Sequence, residues 1–314
     1  MRSGDYIIRQ TDLTLEQSEL CARVNFLIIG AQKAGTSWLS DAIGRHKHAF
    51  VPPSKELHFF NMRRHYDAGF DRFLTGFDGL DNAYAVGEAT PNYFWNAPGE
   101  VEEERYAPIL QFDIAPRVQA LFPDAVFLLC LRDPVDRAIS SFVHQATRGR
   151  VSPFRSLRDQ MHLQGIRSMG EYHHHLKHWR GVFPPEQFEL LIYEEDIAPD
   201  EKKLATINRV FRRLGIEEIA DDALLYQTSN AREAPLLAYI RSLLNAEAPS
   251  TDWGSTPSRR ERLVQGLNRR APAWLHTRAA INVTEEDRAA LAAHYAPHNA
   301  ILQDMINREL PWQS

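Results

Sequence analysis

The sequence is poor in cysteine and has no long apolar run. Its only two cysteines, Cys21 and Cys130, cannot form a disulfide framework in a chain of 314 residues. Cys130 lies inside the apolar run 126–131, so we expect a buried small hydrophobic residue and a reducing, cytoplasmic setting. No window approaches the roughly 20 apolar residues of a membrane span, and the N-terminus lacks the apolar core of a secretory signal. We therefore expect no membrane span.

A large excess of charge is also missing. The net charge is −5 and the isoelectric point is near 6.2, which argues against a general affinity for nucleic acids. The apolar content of 44% is sufficient for a proper core. We expect residues 1–314 to form a single domain, with 1–22 as an N-terminal extension and the turn-rich segment 246–272 as a mobile loop or lid. The sequence gives no indication of an oligomeric state.

Apolar runs suited to buried strands alternate with helical patterns. Strands are predicted over 24–29, around 84–86, over 126–131 and over 188–193. Helices are predicted over 36–45, 134–147, 170–182, 200–214, 236–244 and 285–310. Such alternation is typical of an α/β fold with a central parallel sheet covered by helices on both faces. Ligands of such folds bind beyond the carboxyl ends of the strands.

The first predicted strand runs into a glycine turn and then into a helix start. Residues 30–37, which we call the cradle, place Gly30 and Gly35 around Lys33 and end in Thr36 and Ser37. Glycines let the backbone curl around an anion, and the helix start offers N–H groups and the positive end of its dipole. A nucleotide triphosphate loop has its lysine directly after the second glycine, whereas here the lysine comes earlier. The pattern predicts a phosphorylated ligand, with a purely structural turn as the alternative.

A second candidate anion site follows the third predicted strand. Arg132 is placed at the strand tip, Asp133 is a suitable N-cap and Pro134 a suitable first helical residue. Ser140 lies close to two helical turns further on, on the same helix face. Arg132 and Ser140 could hold one phosphate between them. The alternative is that Arg132 pairs with a carboxylate and Ser140 is an ordinary surface residue.

These motifs, in this order, resemble the sulfotransferases that use 3′-phosphoadenosine-5′-phosphosulfate (PAPS). The segment Lys55-Glu56-Leu57-His58-Phe59-Phe60 is similar to the carbohydrate branch, which includes the heparan sulfate sulfotransferases and bacterial relatives. Ala89 departs from the pattern, because the heparan enzymes usually carry a second lysine there. The matching segments are 32–39, 55–60, 87–93, 131–134 with Ser140, 170–179, 190–196, 295–299 and 310–312.

The resemblance implies a P-loop NTPase-like three-layer sandwich with a central parallel sheet flanked by helices. It also implies transfer of a sulfonyl group from PAPS to a hydroxyl or amine of a small-molecule or carbohydrate acceptor, with release of 3′,5′-adenosine bisphosphate (PAP). The 5′-phosphosulfate would meet the cradle, and Arg132 with Ser140 would bind the 3′-phosphate. The implied cofactor-binding residues are Gln32, Lys33, Ala34, Gly35, Thr36, Ser37, Trp38, Arg132 and Ser140.

Sulfonyl transfer needs a cation at the leaving group and a base at the acceptor. Lys33 can neutralise the charge that grows on the oxygen bridging to the 5′-phosphate. Glu56 matches the catalytic glutamate of the heparan branch, and His58 and His144 are alternative bases because histidine titrates near neutral pH. Glu56 could instead make a salt bridge that lines the cleft. Glu88 could position the acceptor or cap a turn.

A histidine cluster and a basic run also stand out in the sequence. The cluster of His173, His174, His175 and His178 lies on an amphipathic helical pattern, so we expect no metal there or elsewhere. The basic run 259–262 is interpreted as a solvated helix face or as part of a closing segment, to which Trp253 could belong.

Two other functions stay open at this point. A small-molecule kinase on the same fold is the main alternative, although no lysine follows Gly35. A catalytically silent binding protein is the other.

Overall fold

The computed structural model describes residues 6–54, 56–95, 113–221, 225–226, 235–248, 258–272, 275 and 280–312. Contacts divide the chain into two compact units. The first comprises Met1–Arg132 and Tyr172–Ser229, and the second comprises Asp133–Glu171 and Asn230–Ser314. The single domain expected from the sequence therefore stays a prediction.

The first unit contains a five-stranded parallel sheet in the order β2-β3-β1-β4-β5. Every residue of β1 and β3 is buried, as expected for a parallel sheet covered on both faces. The predicted α/β fold with a central parallel sheet is confirmed. The strands are β1 Phe26–Gly30, β2 Ala49–Phe50, β3 Ala85–Ala89, β4 Val126–Leu131 and β5 Phe188–Ile192.

Helices connect the strands and make up most of the described residues of the second unit, to which α6, α7, α10, α11 and α12 belong. In chain order the helices of the described residues are α1 Leu15–Arg23, α2 Thr36–Gly44, α3 Arg63–Asp67, α4 Phe70–Leu74, α5 Ile114–Leu121, α6 Pro134–Thr147, α7 Leu157–Gln160, α8 Tyr172–Arg180, α9 Asp200–Arg213, α10 Pro235–Leu244, α11 Arg259–Arg270 and α12 Glu285–Ile306.

The predicted bounds of β4 and α6 are confirmed to the residue. β5 ends one residue earlier than predicted, because Tyr193 begins a single π-helical turn. The predicted N-terminal extension contains most of α1, which opens with a capping box between Thr14 and Gln17. That Thr-x-x-Gln pattern is a helix-start signal visible in the sequence. Ile8 and Cys21 are buried, so this segment contributes to the core of the first unit.

The second unit has its own apolar core. Phe142 of α6 and Leu291 and Tyr295 of α12 are fully buried in it. Arg241 of α10 pairs with Glu261 of α11 at 2.7 Å, with both side chains almost fully buried. The segment 246–272, expected to be a loop or lid, thus contains a helix over 259–270, and its residues 249–257 lie outside the described part.

Substitution of Gly87 tests how tightly β3 packs against β1. A Cβ atom at Gly87 would lie 2.2 Å from the carbonyl oxygen of Phe26, a backbone atom that cannot move aside. We expect Gly87→Ala to destabilise the protein by about 1–3 kcal/mol or more in urea unfolding. Gly266→Ala is the matched control, since a Cβ there meets nothing within 4 Å and alanine favours the helix. Equal urea midpoints for the two variants would contradict this account of the packing.

Candidate active site

The cradle joins the carboxyl end of β1 to the start of α2. Gly35 is the N-cap of α2 and has a φ of 93°, in the left-handed region that favours glycine. A Cβ there would lie 3.0 Å from the ring of Tyr193. A Cβ at Gly30 would lie 2.6 Å from the Cβ of Phe94. Both glycines are therefore required by close packing around the turn.

The start of α2 suits an anion. Gly35 has no side chain that could accept a hydrogen bond, so no N-cap side chain occupies the N–H groups in the first turn of α2. The N–H groups of that turn and the helix dipole favour a negative ligand. Thr36 is buried and Ser37 half-buried, and their hydroxyls lie in this same first turn. Lys33 is half-buried and has a φ of 68°, so the chain turns sharply at the predicted catalytic cation.

Arg132 connects the tip of β4 to the cradle. Its Nη1 donates a hydrogen bond to the carbonyl oxygen of Lys33 at 3.4 Å. Its guanidinium lies 4.8 Å from the ring centroid of Tyr193, a cation–π distance, and Tyr172 donates its hydroxyl to the carbonyl of Arg132. Tyr193 is not among the site residues predicted from the sequence, although its place directly after β5 identifies it as a residue at the ligand-binding edge of the sheet.

Glu56 forms a pair with His58. Glu56 Oε2 lies 3.1 Å from His58 Nε2, and the side chains are 39% and 6% exposed, respectively. The other ring nitrogen, Nδ1, lies 3.3 Å from Asn61 Oδ1. The tautomer of the His58 ring determines which nitrogen donates, so Nε2 donates to Glu56 when it is the nitrogen that carries the proton. Both ring nitrogens of His58 are engaged, so Glu56 is the accessible member of the pair and His58 orients it.

The segment after β3 contacts both parts of the site. Thr90 Oγ1 accepts a hydrogen bond from the backbone N–H of His58 at 3.2 Å and donates one to Glu88 Oε2 at 2.8 Å. Gln32 of the cradle donates its amide to Asn92 Oδ1 at 3.3 Å. The short segment 90–92 is therefore hydrogen-bonded to the cradle through Asn92 and to the backbone of His58 through Thr90.

Glu88 is fully buried beneath this segment. Burial raises the pKa of its carboxyl group from 4.5 to about 7, although hydrogen bonds from Tyr93 and Thr90 and the nearby His58 lower it in part. The Tyr93 hydroxyl also accepts hydrogen bonds from the backbone N–H groups of Phe59 and Phe60. With no exposed surface, Glu88 orders the residues around Glu56 and does not present a carboxylate to an acceptor.

The raised pKa of Glu88 predicts that the free energy of unfolding depends on pH. Its folded-state pKa is raised, so its contribution to stability is fully present below pH 4.5 and is lost as the pH rises to about 7. Relative to Glu88→Gln, the wild-type free energy of unfolding should fall across this window by about 3 kcal/mol. Urea unfolding of both proteins at several pH values measures the difference. Parallel pH profiles would rule out a raised pKa at Glu88.

The other predicted site residues are placed as follows. Ser140 and His144 are half-buried on α6 in the second unit, whereas the cradle, Arg132 and Glu56 belong to the first. Their predicted roles with the 3′-phosphate and the acceptor stay predictions. Trp38 donates its indole N–H to the carbonyl oxygen of Leu225 at 3.1 Å. Lys55 and Trp253 lie outside the described residues.

Comparison with known proteins identifies the class. A model of the sulfotransferase family matches residues 25–221, a range that includes the cradle, Glu56 and Arg132. The match covers more than half of the chain. The protein belongs to the sulfotransferase family, and the resemblance found in its motifs is confirmed.

Two curated relatives are similar to parts of the chain. The membrane-associated sulfotransferase Kil1 of Dictyostelium discoideum is 30% identical over 135 residues, 42% of this chain and 25% of that protein. Human heparan sulfate glucosamine 3-O-sulfotransferase 6 is 28% identical over 207 residues, 64% of this chain and 54% of that protein. The chain thus spans a quarter and about half of their respective lengths.

A solved structure is similar over nearly the whole chain. The crystal structure of a sulfotransferase from Alicyclobacillus acidocaldarius superposes with a TM-score of 0.58 at 23% identity, covering 92% of this chain and 97% of the other. This likeness establishes the fold, which is the P-loop NTPase-like fold of the sulfotransferases. Among the described residues, no helix combines the length and apolar character needed to cross a membrane.

Proposed function

We propose that the protein is a PAPS-dependent sulfotransferase that sulfates a hydroxyl or amine of a small-molecule or carbohydrate acceptor. The observation that carries the proposal is the position of Lys33. It lies inside an anion-binding turn at the carboxyl edge of the sheet, and its carbonyl accepts a hydrogen bond from Arg132. Family membership supports the same reaction.

In this reaction the acceptor oxygen or nitrogen attacks sulfur as the bond from sulfur to the bridging oxygen of the 5′-phosphate breaks. The electron pair of that bond leaves with PAP, so negative charge grows on the bridging oxygen. The Lys33 ammonium and the N–H groups at the start of α2 stabilise that charge. The chemistry is electrostatic and positional, as in phosphoryl transfer.

Glu56 takes the proton that the acceptor loses. Its carboxylate is partly exposed, and one of its oxygens lies 3.1 Å from Nε2 of His58. The His58 ring is fixed in turn by Asn61, and its backbone is fixed by Thr90. This ordered chain favours Glu56 over His58 as the base, while His144 on α6 remains the alternative.

Arg132 is proposed to bind the 3′-phosphate of the donor with help from Ser140. The Tyr193 ring under the guanidinium and the hydrogen bond to the Lys33 carbonyl hold the Arg132 side chain at the strand tip. A planar guanidinium is well matched to phosphate oxygens. The relatives whose names include heparan sulfate support a carbohydrate acceptor, and Ala89 in place of the second lysine marks a difference from that branch. The cytoplasmic location stays a prediction.

The choice of nucleotide tests the proposal against a small-molecule kinase. We expect PAP to raise the melting temperature more than ATP with magnesium does, because Thr36, and not a lysine, follows Gly35. Thermal unfolding with each nucleotide at matched concentrations measures the difference. Arg132→Gln should reduce the shift with PAP, while Arg23→Gln on α1 should leave it unchanged. A larger shift with ATP and magnesium would support the kinase.

The role of Glu56 is tested by removing its charge. Glu56→Gln should lower kcat by about 10²–10⁴-fold, because the acceptor loses its general base, while PAP binding is retained. Glu19→Gln, an exposed glutamate of α1, is the control and should keep full activity. Transfer of labelled sulfonyl from PAPS to a panel of sugars and phenols supplies the assay. Full activity in Glu56→Gln together with a large loss in His144→Ala would assign the base to α6.

A further inference from the structure

The second unit contains a group of metal-ligating side chains far from the cradle in sequence. Glu171, His294 and His298 place one ligand atom each so that all three lie within 4.8 Å of one another. His294 Nε2 lies 2.9 Å from Glu171 Oε1, and the rings of His294 and His298 have centroids 4.9 Å apart. None of the three takes part in the proposed sulfonyl transfer.

The two histidines share one face of α12. They are four residues apart, the spacing at which helical side chains lie above one another. The helix begins with a capping box between Thr284 and Asp287, and Leu291 and Tyr295 bury its inner side in the core of the unit. The helix therefore presents both imidazoles from a fixed support.

Packing also fixes the position of Glu171. The hydroxyl of Tyr295, the residue after His294, donates a hydrogen bond to the carbonyl of Arg167 at 2.7 Å. Gly170 allows this approach, since a Cβ there would lie 2.7 Å from the Tyr295 hydroxyl oxygen. The backbone before Glu171 is thus held against α12. The Glu171 side chain is 9% exposed, and Arg167 Nε lies 4.0 Å from its Oε1.

We propose that Glu171, His294 and His298 bind a divalent transition metal of the zinc class. Two imidazoles at this helical spacing and one carboxylate are a ligand set that zinc accepts, with water in the fourth position. Imidazole favours zinc, copper and nickel over magnesium or calcium, which prefer oxygen ligands. The metal would tie the residues before α8 to α12.

The site departs from the expectation of no metal. In the histidine cluster of α8, which the sequence predicts to be structural, His178 Nε2 pairs with Asp113 at 2.7 Å. The ligands proposed here come from Glu171 and from a helix 123 positions later. No local spacing rule connects residues so far apart, whereas the packing of Tyr295 on Gly170 brings them together.

Calorimetric titration of the full chain with zinc chloride, after removal of metals with a chelator, tests the site. We expect one zinc bound per chain. Glu171→Gln and His298→Ala should each weaken binding by about tenfold or more, since even residues that only support a ligand contribute about 10–100-fold. His162→Ala, an exposed histidine of the same unit, should bind zinc as the wild type does.

Cobalt(II) gives a second measurement, because a four-coordinate site produces strong visible absorption that a six-coordinate aqueous ion lacks. The wild type and His162→Ala should develop this band, and His298→Ala should not. Circular dichroism in chelator verifies that each variant is folded, and the half-buried His298 provides a mild substitution if Glu171→Gln is unstable. Absence of zinc binding in the wild type, or binding that survives both ligand substitutions, would overturn the proposal.

Discussion

The pairing of β1 with both β3 and β4 is the interaction on which the candidate site depends. β1 is the central strand, and its parallel ladders bring the ends of three strands to one edge of the sheet. Backbone hydrogen bonds continue past the strand ends, from Ala31 to the Cys130 carbonyl and from Phe94 to the Ile29 carbonyl. Because these bonds lie in a buried sheet, where an unpaired group is costly, they determine where each following loop begins.

The close approach of backbones at that edge explains the pattern of small residues. Gly30 faces the Cβ of Phe94 and Gly35 faces the Tyr193 ring, while at the other end of β1 Gly87 faces the Phe26 carbonyl. A side chain at Gly30 or Gly35 would separate the cradle from its neighbours, and one at Gly87 would separate β3 from β1. Tyr193 has two roles here, since it packs against the turn on one side and lies under the Arg132 guanidinium. Steric fit and the position of a cation are thus determined by the same contacts.

The polar side chains of the candidate site differ in how deeply they are buried. Glu88 and Tyr93 are fully buried and bond to the backbone and side chains that surround Glu56. Glu56 itself stays 39% exposed, where it can meet an acceptor. A buried carboxyl group is costly unless it is hydrogen-bonded, and Thr90, which donates to Glu88 Oε2, also accepts a bond from the backbone of His58 and so orders the loop that carries Glu56.

Much of the secondary structure could be predicted because its signals are local. The apolar run of β4, the Asp-Pro start of α6 and the glycine-lysine turn each occupy consecutive residues, so their bounds or conformations follow from short stretches of chain. The role of Glu88 could not be read in this way. Thr90 and Tyr93 follow Glu88 closely in the chain, but their order does not predict that the carboxyl group is fully buried. Burial is a property of the assembled sheet.

The amino-acid sequence by itself determined the family, the parallel α/β fold and the displaced lysine of the cradle, because these depend on residue order and short-range patterns. Only the tertiary structure decided which polar groups meet. It placed Glu56 against His58, Arg132 over Tyr193, and Glu171 beside His294 at a separation of 123 positions. Contacts of this kind arise when strands pair and helices pack, and no spacing along a single element encodes them.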